Sequence, residues 1–272
     1  MEIRIAKPIG FCKGARDVVE IAEDLDKAYS LGPILHNEQL IEKLRKKGIE
    51  PLSLDEILKR DPGKVIIRAH GVTADDLQKL EDGGFKVIDK TCRKVQDVYC
   101  ISADYEKEGY KIFIFGDPKH PEVIGIVSRL SDPTIIRNIE EIPDQQYEKV
   151  CLVSQTTQIA SRYKEIEKIF LMRCNELKVV DTICPATKDR QDAASSLAKE
   201  VDVMIIIGGK KSSNTRKLYT LCQNANINSY LIQTKDDLKE ISFNDVKSVG
   251  ITAGASTPDF IIKSVKNELE RY

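Results

Sequence analysis

Short apolar runs alternate with amphipathic stretches along the whole chain. The clearest runs are Lys64–Arg68, Lys111–Phe115, Val150–Val153, Val203–Ile207 and Ser248–Thr252, and the opening Met1–Ala6 has the same character. They are rich in β-branched or aromatic residues and give way to polar or glycine-containing turns, which predicts strands. The stretches between them have helical spacing. Pro258–Tyr272 places Ile261, Ile262, Val265 and Leu269 on one face, and Asn37–Lys47 does the same with Leu40, Ile41 and Leu44. Regular strand–helix alternation predicts an α/β fold with largely parallel sheets joined by right-handed crossovers.

A weak internal repeat runs through this pattern. Lys86-Val-Ile-Asp-Lys-Thr-Cys92 resembles Lys178-Val-Val-Asp-Thr-Ile-Cys184. Each leads into a helical stretch and then a strand ending in glycine, at Gly116 and Gly208. Each is preceded by a strand that ends in small polar residues, Arg68-Ala-His-Gly71 and Ser154-Gln-Thr-Thr157. A third copy assembles from both termini: Gly250-Ile-Thr-Ala-Gly-Ala-Ser256 and Ile3–Cys12. Self-similarity at a fixed period implies repeated structural units. We expect three α/β domains, 13–92, 93–184, and 185–272 together with 1–12, related by threefold pseudosymmetry, each presenting one cysteine.

Composition narrows the class. The chain has 272 residues, 41% hydrophobic and 31% charged, with a net charge of −1. That balance is ordinary for a globular protein and gives no global pull toward nucleic acid or an anionic membrane. No apolar run approaches the ~20 residues of a membrane span. The opening residues show no signal-peptide pattern. A cytoplasmic location is expected, without a nucleic-acid or membrane partner.

Seven cysteines in such a chain do not suggest a disulfide framework, and an odd number cannot all pair. Cys12, Cys92 and Cys184 occupy equivalent repeat positions, where a strand ends and a helix is about to begin. Pro185 suits a first helical position. At a helix mouth the backbone N–H groups and the dipole favour a thiolate. Spacing alone leaves three readings open: an iron–sulfur cluster, zinc, or structural cysteines. Zinc usually takes a fourth protein ligand with short C-x-x-C spacing, which is absent. Cys100, Cys151, Cys174 and Cys222 lie inside helix or strand patterns and are expected to be buried small hydrophobes.

Ligand sites in open α/β folds lie beyond the C-terminal ends of parallel strands. Polar residues gather there: His36-Asn37, His70, His120 with Glu122, Thr156-Thr157, Ser212-Ser213-Asn214 and Ser256. Taken singly, Ser213, Asn214 and Ser256 could be plain helix caps. All three histidines of the chain, however, fall at such ends, which favours one shared site. Imidazoles together with helix-opening hydroxyls and amides make an oxyanion cradle suited to a diphosphate. Glu122 falls in a first helical turn and could serve as proton donor or relay. No Walker-type or dinucleotide-binding glycine fingerprint is present, so a nucleotide cofactor is not indicated.

Eight stretches in order carry a resemblance over essentially the whole chain. They are Gly10-Phe-Cys-Lys-Gly14, His36-Asn37, Arg68-Ala-His-Gly-Val72, His120-Pro-Glu122, Ser154-Gln-Thr-Thr157, Asp181-Thr-Ile-Cys-Pro-Ala-Thr187, Ser212-Ser-Asn-Thr215 and Gly250-Ile-Thr-Ala-Gly-Ala-Ser256. Each is weak alone. In this order they resemble the LytB family, the 4-hydroxy-3-methylbut-2-enyl diphosphate reductases of the non-mevalonate isoprenoid pathway. The resemblance implies a trefoil of three α/β domains around a 4Fe–4S cluster held by Cys12, Cys92 and Cys184, with one iron left open. It implies diphosphate contacts from His36, His70, His120, Ser212, Ser213, Asn214 and Ser256. Glu122 and Thr156 would lie near the substrate hydroxyl, with Glu122 in proton delivery and Glu122, Thr156 and His120 as the catalytic groups. The implied reaction is a two-electron reductive dehydroxylation giving isopentenyl and dimethylallyl diphosphates, with ferredoxin or flavodoxin as electron donor. A reductase of another substrate, a non-catalytic redox sensor and a zinc protein are the rival readings. The family usually reads Asp-Ala-Thr-Cys-Pro around the second cysteine, whereas this chain has Asp89-Lys-Thr-Cys-Arg93. Basic residues there would stabilise a thiolate, loss of proline would loosen the helix start, and both side chains could equally point to solvent.

Overall fold

The computed structural model describes residues 1–272. Strand β1 (Glu2–Ile5) is followed by α1 (Lys13–Asp24), β2 (Ala28–Leu31), α2 (Glu38–Lys46), β3 (Ile49–Leu52), α3 (Leu54–Ile57) and β4 (Lys64–Ile67). Next come α4 (Ala74–Asp82), β5 (Lys86–Asp89), α5 (Arg93–Lys107), β6 (Lys111–Phe115), α6 (Pro121–Val127), β7 (Thr134–Ile136) and β8 (Tyr147–Ser154). The chain finishes with α7 (Ala160–Phe170), β9 (Cys174–Val179), α8 (Pro185–Ala198), β10 (Val203–Ile207), α9 (Ser213–Ala225), β11 (Ser229–Ile232), β12 (Ser248–Ala253) and α10 (Asp259–Leu269).

The strands form three four-stranded sheets, in the orders β3-β2-β4-β5, β7-β6-β8-β9 and β11-β10-β12-β1. Every pairing is parallel. The three orders are one pattern repeated. The first strand of each set lies between the second and third, and the fourth is added beside the third. In the last sheet that fourth place is taken by β1, from the start of the chain, with Ile3 opposite Val249 and Ile5 opposite Ile251.

The chain forms two compact units. One comprises Met1–Asp17, Leu35–Leu44 and Pro185–Tyr272 and holds the β11-β10-β12-β1 sheet. The other comprises Val18–Ile34 and Arg45–Cys184 and holds the other two sheets.

Burial follows from the two-residue period of a strand. In β10, Val203, Ile205 and Ile207 pack with Val249, Ile251 and the α10 residues Ile261, Val265 and Leu269. The alternate residues Met204 and Ile206 pack on the opposite face, with Ala194, Leu197, Leu218 and Cys222 of α8 and α9. The sheet is covered on both sides, which is why this strand is apolar at every position. The β6 strand repeats the arrangement. Ile112 and Ile114 face Val95, Val98 and Val123, while Phe113 and Phe115 face Tyr163, Ile166 and Phe170.

The strong apolar runs appear where the sequence predicts them, to within a few residues. The strands without a sequence signal are β2, β3, β7 and β11. They are short, and three of them are sheet edges. Pro51 lies within β3, opposite Ser30, and an edge strand tolerates its missing N–H. Ser30 itself is fully buried, with its hydroxyl donating to the Gly32 carbonyl at 2.7 Å.

The Phe113 ring is fully buried, 4.5 Å from the Phe170 ring centre. Phe113→Ala is expected to lower unfolding stability by about 3–5 kcal/mol, read as a fall in the urea midpoint with unchanged m value.

Candidate active site

Every residue singled out from the sequence lies just past the C-terminal end of a strand, at one of three recurring places. Beyond the first strand of each sheet come His36-Asn37 after β2, His120-Pro121-Glu122 after β6, and Ser212-Ser213-Asn214 after β10. Beyond the third come His70 after β4, Thr156 after β8 and Ser256 after β12. Beyond the fourth come Cys92 after β5, Cys184 after β9 and Cys12 after β1. Parallel strands end on one side of a sheet, so each set of loops opens at the same end.

The unit formed by 18–34 and 45–184 gathers His70, Cys92, His120, Glu122, Thr156 and Cys184. His120 caps α6, with Pro121 at its first position and its Nδ1 accepting from the Glu122 amide at 3.2 Å. The His70 and His120 rings stand edge to face, 5.3 Å between centres. Glu122 is 1% exposed. Its Oε1 accepts from the Thr156 amide at 2.6 Å and its Oε2 from the Thr156 hydroxyl at 2.9 Å. Each carboxylate oxygen is therefore oriented by the β8 loop, while the helix start favours the charge.

Tyr99 on α5 is a residue the sequence gives no reason to single out. A Cβ added at either Gly71, next to His70, or Gly125, three residues past Glu122, would collide with its hydroxyl. Gly71 has φ +80°, so glycine is needed there twice over. Arg129 lies over the Tyr99 ring at 4.0 Å and donates to the Val72 carbonyl at 2.9 Å and the Gly125 carbonyl at 2.6 Å. Burial raises the Tyr99 phenol to about 12, although the Arg129 charge pulls the other way. Tyr99 and Arg129 thus pack the His70 turn against α6.

The unit formed by 1–17, 35–44 and 185–272 gathers Cys12, His36, Ser212, Ser213, Asn214 and Ser256. Asn37 caps α2, its side chain accepting from the Leu40 amide at 2.9 Å. Ser212 caps α9, accepting from the Thr215 amide at 3.4 Å, and the Ser256 hydroxyl reaches that of Ser212 at 3.4 Å. Asn214 is 6% exposed, and neither its amide oxygen nor its amide nitrogen has a hydrogen-bond partner. Burying such a group unsatisfied costs about 1–3 kcal/mol. An orphan amide at a helix start beside two serine hydroxyls is a set of donors for an oxyanion. The Gly209 backbone packs directly on the His36 carbonyl, leaving no room for a side chain.

The three cysteines share one local geometry. Their amides donate to the loop beyond the neighbouring third strand: Cys12 to Ala255 at 3.2 Å, Cys92 to Ala69 at 3.0 Å and Cys184 to Thr156 at 2.9 Å. Each stands immediately before a helix, α1, α5 and α8 respectively. The Cys12 sulfur accepts the Ala15 amide at 3.4 Å. All three are partly exposed and none is in a disulfide. Cys151 and Cys222 differ: burial raises both thiols to about 12, which keeps them inert. Cys174 is half-buried. Cys100 departs from expectation and is exposed. The buried face of α5 runs through Val95, Val98, Tyr99 and Ser102, so position 100 points away from it. Within neither unit do three His, Cys, Asp or Glu side chains assemble a metal site alone.

With Arg93 in place of proline, α5 still starts directly after Cys92. Cys92 caps it, and its carbonyl accepts from Val95 at 2.8 Å and Gln96 at 3.1 Å. Arg93 is exposed and Lys90 half-buried.

Comparison with known proteins places the chain in a family. The profile of the LytB protein family matches residues 3–270. A 4-hydroxy-3-methylbut-2-enyl diphosphate reductase from Nitratiruptor sp. is 40% identical over 274 residues, covering 100% of this chain and 99% of its own length. The protein of that name from Aquifex aeolicus is 41% identical, covering 99% and 96%. A solved structure of (E)-4-hydroxy-3-methyl-but-2-enyl diphosphate reductase, described as the terminal enzyme of the non-mevalonate pathway, superposes with a TM-score of 0.73 at 39% identity over 100% of both chains. The corresponding reductase from Plasmodium falciparum superposes with a TM-score of 0.90 at 26% identity, over 98% of this chain and 87% of that one.

Gly209→Ala is expected to displace the loop carrying Ser212 while leaving the sheets intact. The collision is with backbone, so relief requires movement that costs about 1–3 kcal/mol. Hydrogen exchange should show faster amides over residues 209–215 and unchanged protection in β10; uniform protection would contradict the packing described.

Proposed function

The chain belongs to the LytB protein family, and from that membership we infer that it reduces 4-hydroxy-3-methylbut-2-enyl diphosphate to isopentenyl and dimethylallyl diphosphates. The observation that carries this reading is the buried Glu122 carboxyl, gripped at both oxygens by Thr156 on a helix opened by His120. A dehydroxylase needs a proton route sealed from water, and a buried carboxyl held at both oxygens suits a relay on it.

The residues fit a 4Fe–4S cluster. Three partly exposed cysteines at helix starts, none in a disulfide and one already receiving a backbone N–H at sulfur, are the donors such a cluster uses. Cys12, Cys92 and Cys184 would hold it, leaving one iron without a protein ligand. When bound, the cluster supplies electrons one at a time and a Lewis-acidic iron for the substrate hydroxyl.

The chain's own residues do the rest. Ser212, Ser213, Asn214 and Ser256, with His36, His70 and His120, receive the diphosphate. Binding the remote diphosphate fixes the allylic carbon and its hydroxyl relative to Glu122. The C–O bond breaks as two electrons enter the substrate. One proton leaves with the hydroxyl as water and a second ends on carbon, at one of two positions, giving the two products. Glu122 delivers a proton, and Thr156 holds the carboxyl in place while it does so. Ferredoxin or flavodoxin supplies the electrons in the cytoplasm. We take the domains to be 13–92, 93–184, and 185–272 with 1–12.

The test is anaerobic turnover. Reconstituted protein given a reductant and the allylic alcohol diphosphate should release both five-carbon diphosphates. A loaded protein that leaves the substrate unchanged would refute the assignment. Glu122→Gln should keep the cluster spectrum and lower kcat by about 10²–10⁴-fold; wild-type turnover would remove Glu122 from proton delivery. Cys92→Ser should lose the cluster absorption, and an unchanged spectrum and iron content would strike Cys92 from the ligand set.

A further inference from the structure

Arg190 is among the largest side chains wholly inside the protein, 2% exposed on the buried face of α8. A guanidinium stays charged at any working pH, so this is a permanent interior cation. Its Nη1 donates to the Ala186 carbonyl at 3.0 Å and its Nη2 to the Gly10 carbonyl at 2.8 Å. Ala186 is two residues past Cys184 in the chain, and Gly10 two residues before Cys12. One side chain therefore binds the backbone leading into one cysteine and the backbone leading out of another.

The Gly10 turn is confined on its other side as well. Gly10 has φ +74°, and a Cβ there would lie 2.9 Å from Ile262 Cδ1 and 3.1 Å from Asp259 Oδ1. The turn is held between the start of α10 and the Arg190 fork.

We propose that Arg190 is a positioning residue for the cluster, clamping the Gly10–Cys12 turn to the first turn of α8. This inference rests on the cluster reading above and names a device that serves it. Neither a lysine nor a methionine can fork between two carbonyls, and the lysine keeps the charge, so the pair isolates the clamp.

The experiment compares reconstituted wild type with Arg190→Lys and Arg190→Met. It measures iron per chain and cluster lifetime under a chelator. Alkylation of Cys151 and Cys222, both buried, reports whether the fold has opened. Loss of the clamp should shorten cluster lifetime by about 10–100-fold in both variants. Cys151 and Cys222 should stay protected throughout. Wild-type lifetime in both variants would overturn the proposal. So would exposure of Cys151 and Cys222 in both, since Arg190 would then be serving the fold alone. Should only the methionine variant open, the lysine variant decides: a shortened lifetime supports the clamp, and an unchanged one overturns it. Wild type that takes up no cluster would instead refute the cluster reading, and this inference with it.

Discussion

Three backbone hydrogen bonds fix the layout on which the site depends. They run from the amides of Cys12, Cys92 and Cys184 to the carbonyls of Ala255, Ala69 and Thr156. In each sheet the fourth strand is added parallel to the third, and the chain stays tied to its neighbour after both strands have ended. That tether carries the cysteine to the loop holding Ser256, His70 or Thr156. The amide is spent on the tether, and the carbonyl then starts the helix, as with Cys92 to Gln96 and Cys12 to Arg16. The sulfur is left at the helix mouth. A slip of one residue between third and fourth strands would move the cysteine and reverse the faces of the strand together.

The remaining polar residues are held by close packing rather than by long networks. Gly71 and Gly125 admit the Tyr99 hydroxyl, Gly209 admits the His36 carbonyl, and Gly254 lies where a Cβ would strike the Thr215 hydroxyl. Interiors packed this densely transmit small volume changes. The glycines at these strand ends are thus as restrictive as the charged residues they position. Arg129 and Arg190 complete the scaffold by bonding carbonyls, which ties loops together without competing for the donors that a diphosphate needs.

What the sequence shows and hides follows from where the information resides. The runs at β6, β10 and β12 are legible because a doubly covered strand must be apolar throughout. The loops are legible because the threefold repeat places His70, Thr156 and Ser256 in register with one another, and likewise the three cysteines. The strands at Ala28–Leu31 and Thr134–Ile136 are hidden because a short strand gives too few positions for a pattern. Tyr99 and Arg190 are hidden for a different reason. Each reads as an ordinary member of a helix, and only its tertiary neighbours show that a phenol fills two glycine notches or that a guanidinium is interior. Cys100 fails in the opposite direction, since its neighbours in sequence look apolar while the helix turns it outward.

The helix starts show how charge is distributed around the site. Helices α2, α4, α6 and α10 carry acids in their first turns, namely Glu38, Asp75 with Asp76, Glu122 and Asp259. Those acids offset the positive end of the dipole, each contributing about 0.3–1 kcal/mol. The three helices that open on a cysteine, α1, α5 and α8, have none. Two of them begin with a base instead, Lys13 and Arg93. Helix α9, which opens on Ser212, also lacks an acid there. So does α7, for which the structure offers no reason. Leaving these ends positive works against the isolated helix. It becomes favourable only when an anion arrives from elsewhere, as a thiolate-held cluster would at α1, α5 and α8 and a diphosphate would at α9. On this view Lys90 and Arg93 extend a bias already present at the other two cysteines. The departure from the usual Ala and Pro adds positive charge at a helix start that already lacks acids.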